Sequence, residues 1–432
     1  MSFWGAIKGM FSGAAEKAQS AGTTLMLGAL GYGSATKASR KAYATEGYDA
    51  NAVVHRCVGL IARSVASCPV RVLQGEEDAP PNHPLRALLE KPNPMQSGEA
   101  FIETIVAFNR IFGNSFVEKL TVNSGEPKEL WPWPAYAMKV KRSKDAPIPV
   151  AYVFNQDGAT KMWEVDRVTG ESDMLSWRTF NPTDPLVGLS PIEAAAFEVD
   201  QHNQAGKWNY ATLKNAAMPG GALVSETDLT SEQKRQIREA LQTNNEGPSN
   251  ARKTMILSGG LKWLQIMMTP QDMDWLKGRD AAARYIASVL GVPEQMVPIP
   301  GSQTFANYSE ARLAFWEDTV LPLAGELYSE LNRWLVAPVW DNTRLEVDID
   351  AVPALEPRRK ERWTSVQSAD WLTPNEKREA TGYEPYEERA GLEAADRLWI
   401  PAGMLPISEQ AEPPEPGEPL PPGDEDDEED DE

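Results

Sequence analysis

The chain has 432 residues, 14 of them Trp and 41% hydrophobic, a composition that supports globular structure over most of its length and a size that suggests about two or three structural units. Its formal net charge is −21, but Glu409–Glu432 holds 13 acids and no base, so the remaining 408 residues carry 42 basic against 50 acidic groups. A mildly acidic body argues against tight nucleic-acid binding by phosphate neutralisation, and two cysteines, Cys57 and Cys68, are too few for a disulfide framework and point to synthesis in a reducing compartment.

No apolar run approaches the roughly 18 residues that a bilayer span needs. The opening segment carries Trp4, Ile7 and Phe11 at helical spacing and is read as a mobile arm whose apolar face could dock on a partner. The first amphipathic helix follows, with Val53, Val54, Cys57, Ile61 and Val65 on one stripe, and it stops before Pro69. "PVRVL" reads as a strand. "HPLRALLEKPNP" gives a short helix and a rigid turn. The next helix is capped by Ser97, with Glu99 favourably near its positive end; it buries Phe101, Ile105, Phe108 and Phe112 and ends at Gly113. Strands are expected at "SFVEKLTV", "AMKVKR" and "VAYVFN".

Ser190 as N-cap, Pro191 at the first helical position and Glu193 as the third member of a capping box predict a helix to about Ala217. It would be roughly 40 Å long. Its apolar stripe of Ile192, Val199 and Leu213 is thin, and Gln201, His202, Asn203 and Asn209 interrupt it, so such a helix packs on few neighbours or on other copies of itself. Residues 220 to 269 form an α/β insert. In it the strand "GALVS" precedes a helix capped by Thr230 and Gln233, and the strands "TMIL" and "LKWLQI" flank a "SGG" turn. A second helix runs from about Asp272 to Leu290 with Met273, Leu276, Tyr285, Ile286, Val289 and Leu290; Gly291 caps it and Pro293 prevents its continuation.

After the loop "GVPEQMVPIPGSQTFANY" comes a helix from about Tyr308 to Leu335, in which Pro322 should force a kink. "RLEVDID" is a strand, "EPRRKERWTSVQSADWL" is helical, and Thr373, Pro374 and Glu376 open a last helix that ends at Gly382. From about Ile407 onward the Pro, Glu and Gly composition, closing in "DEDDEEDDE", cannot bury a core and is expected to stay disordered. The fold class is α+β.

Catalytic chemistry finds no footing. His55, His83 and His202 are the three histidines, and none sits in a nucleophile, metal or acid-base motif. "GLSPI" lacks the second glycine of a nucleophile elbow, and Ser190 is better explained as a cap. "GALGYGSATK" lacks the Gly-Lys-Ser/Thr that holds a triphosphate. Asp272 and Asp274 do not share a helix face. No enzyme activity, cofactor or metal is expected. Lys234, Arg235, Arg238, Arg252 and Lys253 cluster in the insert. They are either a solvated helix face or a docking patch for an acidic partner or nearby DNA.

Eight stretches in one order carry a family resemblance: "AVVHRCVGLIARSVASCPVRVL", "HPLRALLEKPNP", "FNRIFGNSFVEK", "ELWPWPA", "GLSPIEAA", "NARKTMILSGGLKW", "IASVLGVPEQM" and "FWEDTVLPLAGELYSELNRWL". No single one is diagnostic, but in this order the chain resembles the portal proteins of tailed bacteriophages, in the siphophage-type branch also found in prophages and gene transfer agents. The resemblance covers about residues 48 to 385. It implies a dodecameric ring at one capsid vertex that conducts double-stranded DNA without holding it tightly. It implies contacts with the terminase large subunit, the major capsid protein and head-completion or adaptor proteins, no membrane, and a location in the virion after assembly in the host cytoplasm.

In the family's terms, 1–45 is an arm and 46–189 the wing. Residues 190–217 and 270–290 are the stem helices, and 218–269 is the clip that faces the motor. A tunnel loop at 291–307 would meet DNA through Pro298, Pro300, Gly301, Ser302, Gln303, Thr304, Phe305 and Asn307, without a cation. Residues 308–395 are the kinked long helix with wing and crown, and 396–432 an acidic tail. The family often has His where this chain has Trp177, so no role is carried to that position, and the tail is outside the family pattern. Two other classes stay open at this point: a hydrolase with 291–308 as its lid, and a peripheral membrane scaffold using the arm.

Overall fold

A computed structural model describes residues 40–122, 125–214, 221–225, 230–245, 261–265, 275–299, 305–383 and 385–386. Residues 1–39 of the arm, the acidic tail, "TMIL", Asp272, Asp274, Arg252, Lys253 and residues 300–304 lie outside them. The chain divides into two compact units, Met1–Ala354 and Leu355–Glu432.

In the first unit a helical turn, Arg40–Ala42, and a wider π turn, Tyr43–Asp49, lead into helix α1, Ala52–Ala66. Asn51 starts α1 because its side-chain oxygen accepts from the backbone N–H groups of Val53 and Val54 at 3.0 and 3.2 Å. The predicted stripe is buried at Val54, Cys57, Ile61 and Val65, although Val53 is only half-buried. Strand β1, Val70–Gln74, follows, then the two-residue β2, Glu77–Asp78, and helix α2, Pro84–Glu90, which His83 caps through its ring nitrogen. Helix α3, Gly98–Phe112, starts at the Ser97 cap and stops at Gly113 (φ 72°), as its residues predict. It packs against α1 and buries Phe101, Ile105 and Phe112, leaving Phe108 half-buried.

The expected strands appear as β3, Asn114–Thr121, β5, Met138–Arg142, and β6, Pro149–Gln156; β4, Pro127–Trp133, β7, Ala159–Glu164, and β8, Met174–Arg178, complete two antiparallel sheets ordered β4-β3-β8 and β5-β6-β7. The sequence patterning misses β8, also an edge strand, and it misses β4 and β7 for a physical reason. Both are edge strands, where prolines such as Pro127 and Pro132 and exposed polar residues are tolerated. One buried carboxylate joins the sheets: Glu118 accepts from Trp133 Nε1 and Trp163 Nε1, both at 2.9 Å, and from Lys161 Nζ at 2.6 Å. The Lys161 ammonium also lies 5.2 and 4.9 Å from the two indole ring centres.

The single helix expected from Ser190 is instead two segments, α4, Pro191–Ala194, and α5, Ala196–Lys214, with a break at Ala195. The capping box is not made. Ser190 Oγ accepts from Ile192 N at 3.1 Å and donates to Ile111 O at 2.6 Å, while the Glu193 carboxylate bonds the Tyr43 side chain. Strand β9, Gly221–Ser225, helix α6, Ser231–Asn245, and β10, Leu261–Gln265, follow, with β9 and β10 antiparallel. Helix α7, Trp275–Val289, packs on α5.

The long helix is continuous but irregular: α8, Phe305–Phe315, a π turn at Trp316–Val320, α9, Leu321–Leu331, and a second π turn at Asn332–Val336. Pro322 falls in the first turn of α9, directly after the first π turn, where Leu321 N reaches back to Trp316 O. Such a widened turn accommodates the proline ring and its missing donor. Strand β11, Thr343–Val347, returns to pair with β1, Val72 opposite Leu345.

The second unit holds α10, Glu356–Gln367, and α11, Pro374–Ala380. The capping box predicted for α11 is formed by Thr373 and Glu376. Arg378 lies 5.7 and 4.1 Å from the ring centres of Tyr383 and Tyr386.

Candidate functional site

Two of the sequence stretches that carry the resemblance, "FGNS" and "GLSP", meet in space although they are some 75 residues apart. A Cβ at Gly188 would overlap the Gly113 carbonyl oxygen, and one at Gly113 would come within 2.6 Å of the Gly188 oxygen. Only two glycines allow this approach. Thr179 fastens it by donating from its hydroxyl to Leu189 O at 2.6 Å and from its backbone to Gly113 O at 2.9 Å, and Asn114 Oδ1 accepts from Gly188 N at 2.9 Å. The end of α3, the start of β3 and the start of α4 are thus one rigid joint, from which α5 departs.

Helices α5 and α7 pack on each other and carry small buried residues, Ala205 on α5 and Ala282, Ala283 and Ala287 on α7. Beside them lies a polar network that the sequence reading passes over as a thin stripe. Asn51 Nδ2 donates to Asn203 Oδ1 at 2.9 Å and contacts His202 Nδ1 at 3.2 Å; Asn203 Nδ2 donates to Glu46 O at 2.9 Å, and Arg279 Nε donates to His202 Nε2 at 3.4 Å. Burial first, then the Arg279 charge, holds the His202 pKa below its ordinary value, with Asp280 opposing. The other faces of the pair stay open. Phe197 and Tyr210 on α5 are 51% and 70% exposed, and on α7 Tyr285 and Val289, which share a predicted apolar set with the buried Ile286 and Leu290, are 62% and 43% exposed.

The loop after α7 is anchored over most of its described length. Gly291 N bonds Ser288 O at 3.0 Å and Val292 N bonds Ala287 O at 2.9 Å, the paired bonds of a Schellman cap, with Gly291 at φ 75°. Val292, Met296, Val297 and Ile299 are buried, Arg284 and Glu294 pair at 2.8 Å, and Pro298 is exposed. Of the other residues singled out in this loop, Pro300, Gly301, Ser302, Gln303 and Thr304 lie outside the described residues. Phe305 begins α8, and Asn307 is exposed in its first turn.

The basic group of the insert is only partly visible. Lys234 and Arg235 are exposed on α6, Arg238 belongs to the same helix, and Arg252 and Lys253 lie outside the described residues. Arg235 is already paired on its own helix with Glu232 at 2.6 Å and Glu239 at 2.8 Å.

Among the described residues no His, Cys, Asp or Glu group could hold a metal ion. Burial pushes the thiols of Cys57 and Cys68 up to about 12, so neither is a nucleophile at neutral pH. Trp177 is fully buried, and its indole donates to Glu326 Oε1 on α9 at 3.1 Å, linking β8 to the long helix. No helix among the described residues is long and apolar enough to cross a membrane.

The architecture has counterparts of known kind. The family described as "Phage portal protein" matches residues 52–382. A protein of Rickettsia bellii is 34% identical over 341 residues, 78% of this chain and 88% of that protein. The portal protein of Enterobacteria phage HK97 is 25% identical over 307 residues, 68% of this chain and 69% of that one. A chain in the neck of a native gene transfer agent particle, computed with C12 symmetry, superimposes with a TM-score of 0.63 at 32% identity, covering 81% of this chain and 94% of that chain.

Proposed function

Because this chain belongs to the phage portal protein family, we propose that its copies close into a dodecameric ring at one vertex of a capsid and conduct double-stranded DNA into and out of it. It is a structural protein of the particle and not an enzyme, which replaces the reading of 291–308 as a hydrolase lid. The observation that carries the proposal is the similarity, over 81% of this chain and 94% of that one, to a chain in a particle neck computed with C12 symmetry. The open apolar residues of α5 and α7 support it, since Phe197, Tyr210, Tyr285 and Val289 are what a neighbouring copy would cover.

In this reading residues 46–189 are the wing, 190–217 and 270–290 the stem, and 218–269 the clip, with Lys234, Arg235, Arg238, Arg252 and Lys253 offered to the terminase large subunit. The major capsid protein and a head-completion or adaptor protein are the other partners. The loop at 291–307 reaches the channel from a fixed base, since Val292 to Ile299 is packed and Pro298 and Asn307 are outward. Net negative charge suits a conduit, because each phosphate-neutralising contact would have to be broken as DNA moves. Assembly takes place in the host cytoplasm and the finished ring stays in the virion.

Native mass measurement and electron microscopy of the purified chain test the reading. A ring with a central hole that admits duplex DNA is expected. A monomer at high concentration across several salts overturns it.

A further inference from the structure

Helix α10 has no buried residue along its 12 positions, an unusual state for a helix in a folded unit, because a helix gains most of its stability from the face it packs. Its charge is also out of keeping with the chain. Arg358, Arg359, Lys360 and Arg362 stand against Glu356 and Glu361, in a protein of net charge −21. The contacts Arg358–Glu361 at 3.2 Å and Lys360–Glu356 at 2.8 Å are exposed pairs within one helix, of the kind worth only about 0–1 kcal/mol and readily exchanged. Four exposed rings lie on the same unit: Trp363 on α10, Trp371, and Tyr383 and Tyr386 beside Arg378 of α11 are 43%, 74%, 55% and 45% exposed.

We propose that the segment 409–432 of this chain docks on the α10–α11 unit, its acids on the arginines of α10 and its prolines on the exposed rings, and so keeps those arginines from DNA. Charge complementarity argues for this occupant: the segment has 13 acids and no base. Its composition suits the rings as well, since "EPPEPGEPLPP" is a proline-rich stretch of the type that aromatic surfaces read. Reach is sufficient. The last described residue is Tyr386, whose ring lies 4.1 Å from Arg378, and the 22 residues from 387 to 408 would span about 33 Å even as a helix, against about 18 Å for the length of α10.

DNA phosphates are the competing occupant, recognised by the same arginines. A docked tail therefore acts as an internal polyanion that covers α10 before DNA arrives. This goes beyond the conduit reading and does not depend on ring formation.

Carbodiimide cross-linking of the full-length chain at low salt, read by mass spectrometry, tests it. Carboxylates of 409–432 should join Lys360 and Lys377 several-fold more often than the exposed Lys139 and Lys141, and about 1 M salt, with its Debye length near 3 Å, should erase the preference. The variant Arg358→Glu/Arg359→Glu/Arg362→Glu should also erase it; because α10 buries nothing, far-UV circular dichroism should stay unchanged. An even spread over all four lysines overturns the proposal. In the second arm, a chain ended at Ser408 should bind a short DNA duplex that the full-length chain does not, and adding the triple substitution should abolish that binding. Equal duplex binding with and without the tail, or a gain that survives the triple substitution, would assign the effect to α10 alone or to net charge and overturn the shielding role.

Discussion

The hydroxyl of Thr319 donates to the carbonyl of Gly291 at 2.7 Å, tying the C-terminal cap of α7 to the π turn that precedes Pro322. The base of the loop and the irregular part of the long helix therefore move together or not at all. Thr319→Ala should cost about 1 kcal/mol in urea unfolding, the net value of one such bond. Gly291→Ala should cost more, because Ala is strained at φ 75° and its Cβ would lie 2.8 Å from Thr319 Oγ1. In the double variant that oxygen is gone and the Thr319 Cβ is 3.7 Å away, so the costs should sum to less than the separate values. Strict additivity would show that the two residues are not coupled.

Glu118 is the one acceptor shared by two indoles and an ammonium, and it is only 5% exposed. Glu118→Gln keeps the volume but brings an amide N–H₂ against donors, while Glu118→Ala leaves all three donors without their partner. A loss of about 2–4 kcal/mol is expected for the alanine variant and somewhat less for glutamine, given that hydrogen bonds to a charged group are each worth about 1.5–3 kcal/mol and that Lys161 is half-exposed to solvent. Intrinsic fluorescence should report it, since Trp133 and Trp163 lose their shared contact. An unchanged melting temperature would contradict the role given to this carboxylate.

His202 gives the stability a pH dependence that can be separated from the carboxylates. Its ring nitrogens face Asn51 Nδ2 and the Arg279 guanidinium, both donors, so a second ring proton has no acceptor there. The folded pKa is depressed below 6.5, and the unfolded chain therefore binds more protons as the pH falls. Stability is full above about pH 6.5 and declines through the interval below it, down to the depressed folded value. His202→Gln should reduce the slope of the melting temperature between pH 7 and pH 5 while leaving the acid limb below about pH 4, where the stabilisation from the carboxylates of Asp78, Asp166 and Asp184, all held below the usual carboxylate range, begins to be lost. A slope that persists in the variant would move the origin elsewhere.

Local chemistry was the legible part of this sequence. Ser97, Gly113, Thr373 and Gly291 each end or start a helix where their side chains or backbone freedom require it, and the helical stripes follow from spacing alone. Long-range geometry was not legible. Gly113 and Gly188 each look like an ordinary turn residue, and only the fold shows that one backbone lies on the other. Ser190 and Glu193 satisfy the capping-box pattern, yet Ile111 O and Tyr43, distant in sequence, take their side chains. The candidate channel residues were legible as a proline- and glycine-rich interruption without cations. That 292–299 would be packed rather than loose rests on tertiary burial of Val292, Met296, Val297 and Ile299, which no local pattern encodes.

A loop with a fixed base and no cation should touch DNA lightly, through sterics and weak hydrogen bonds. Gln303→Lys together with Asn307→Lys adds two phosphate-seeking charges per copy, and the proposed ring would repeat them around its channel. Every such contact releases counterions on binding and must be broken for DNA to advance, so packaging in vitro should slow most at low salt and recover as salt rises. Gln303→Glu with Asn307→Glu alters the same positions without attracting phosphate and should leave the rate close to that of the unaltered chain. If both pairs slow packaging equally at all salts, the loop acts by shape alone. If neither does, residues 303 and 307 do not face the DNA.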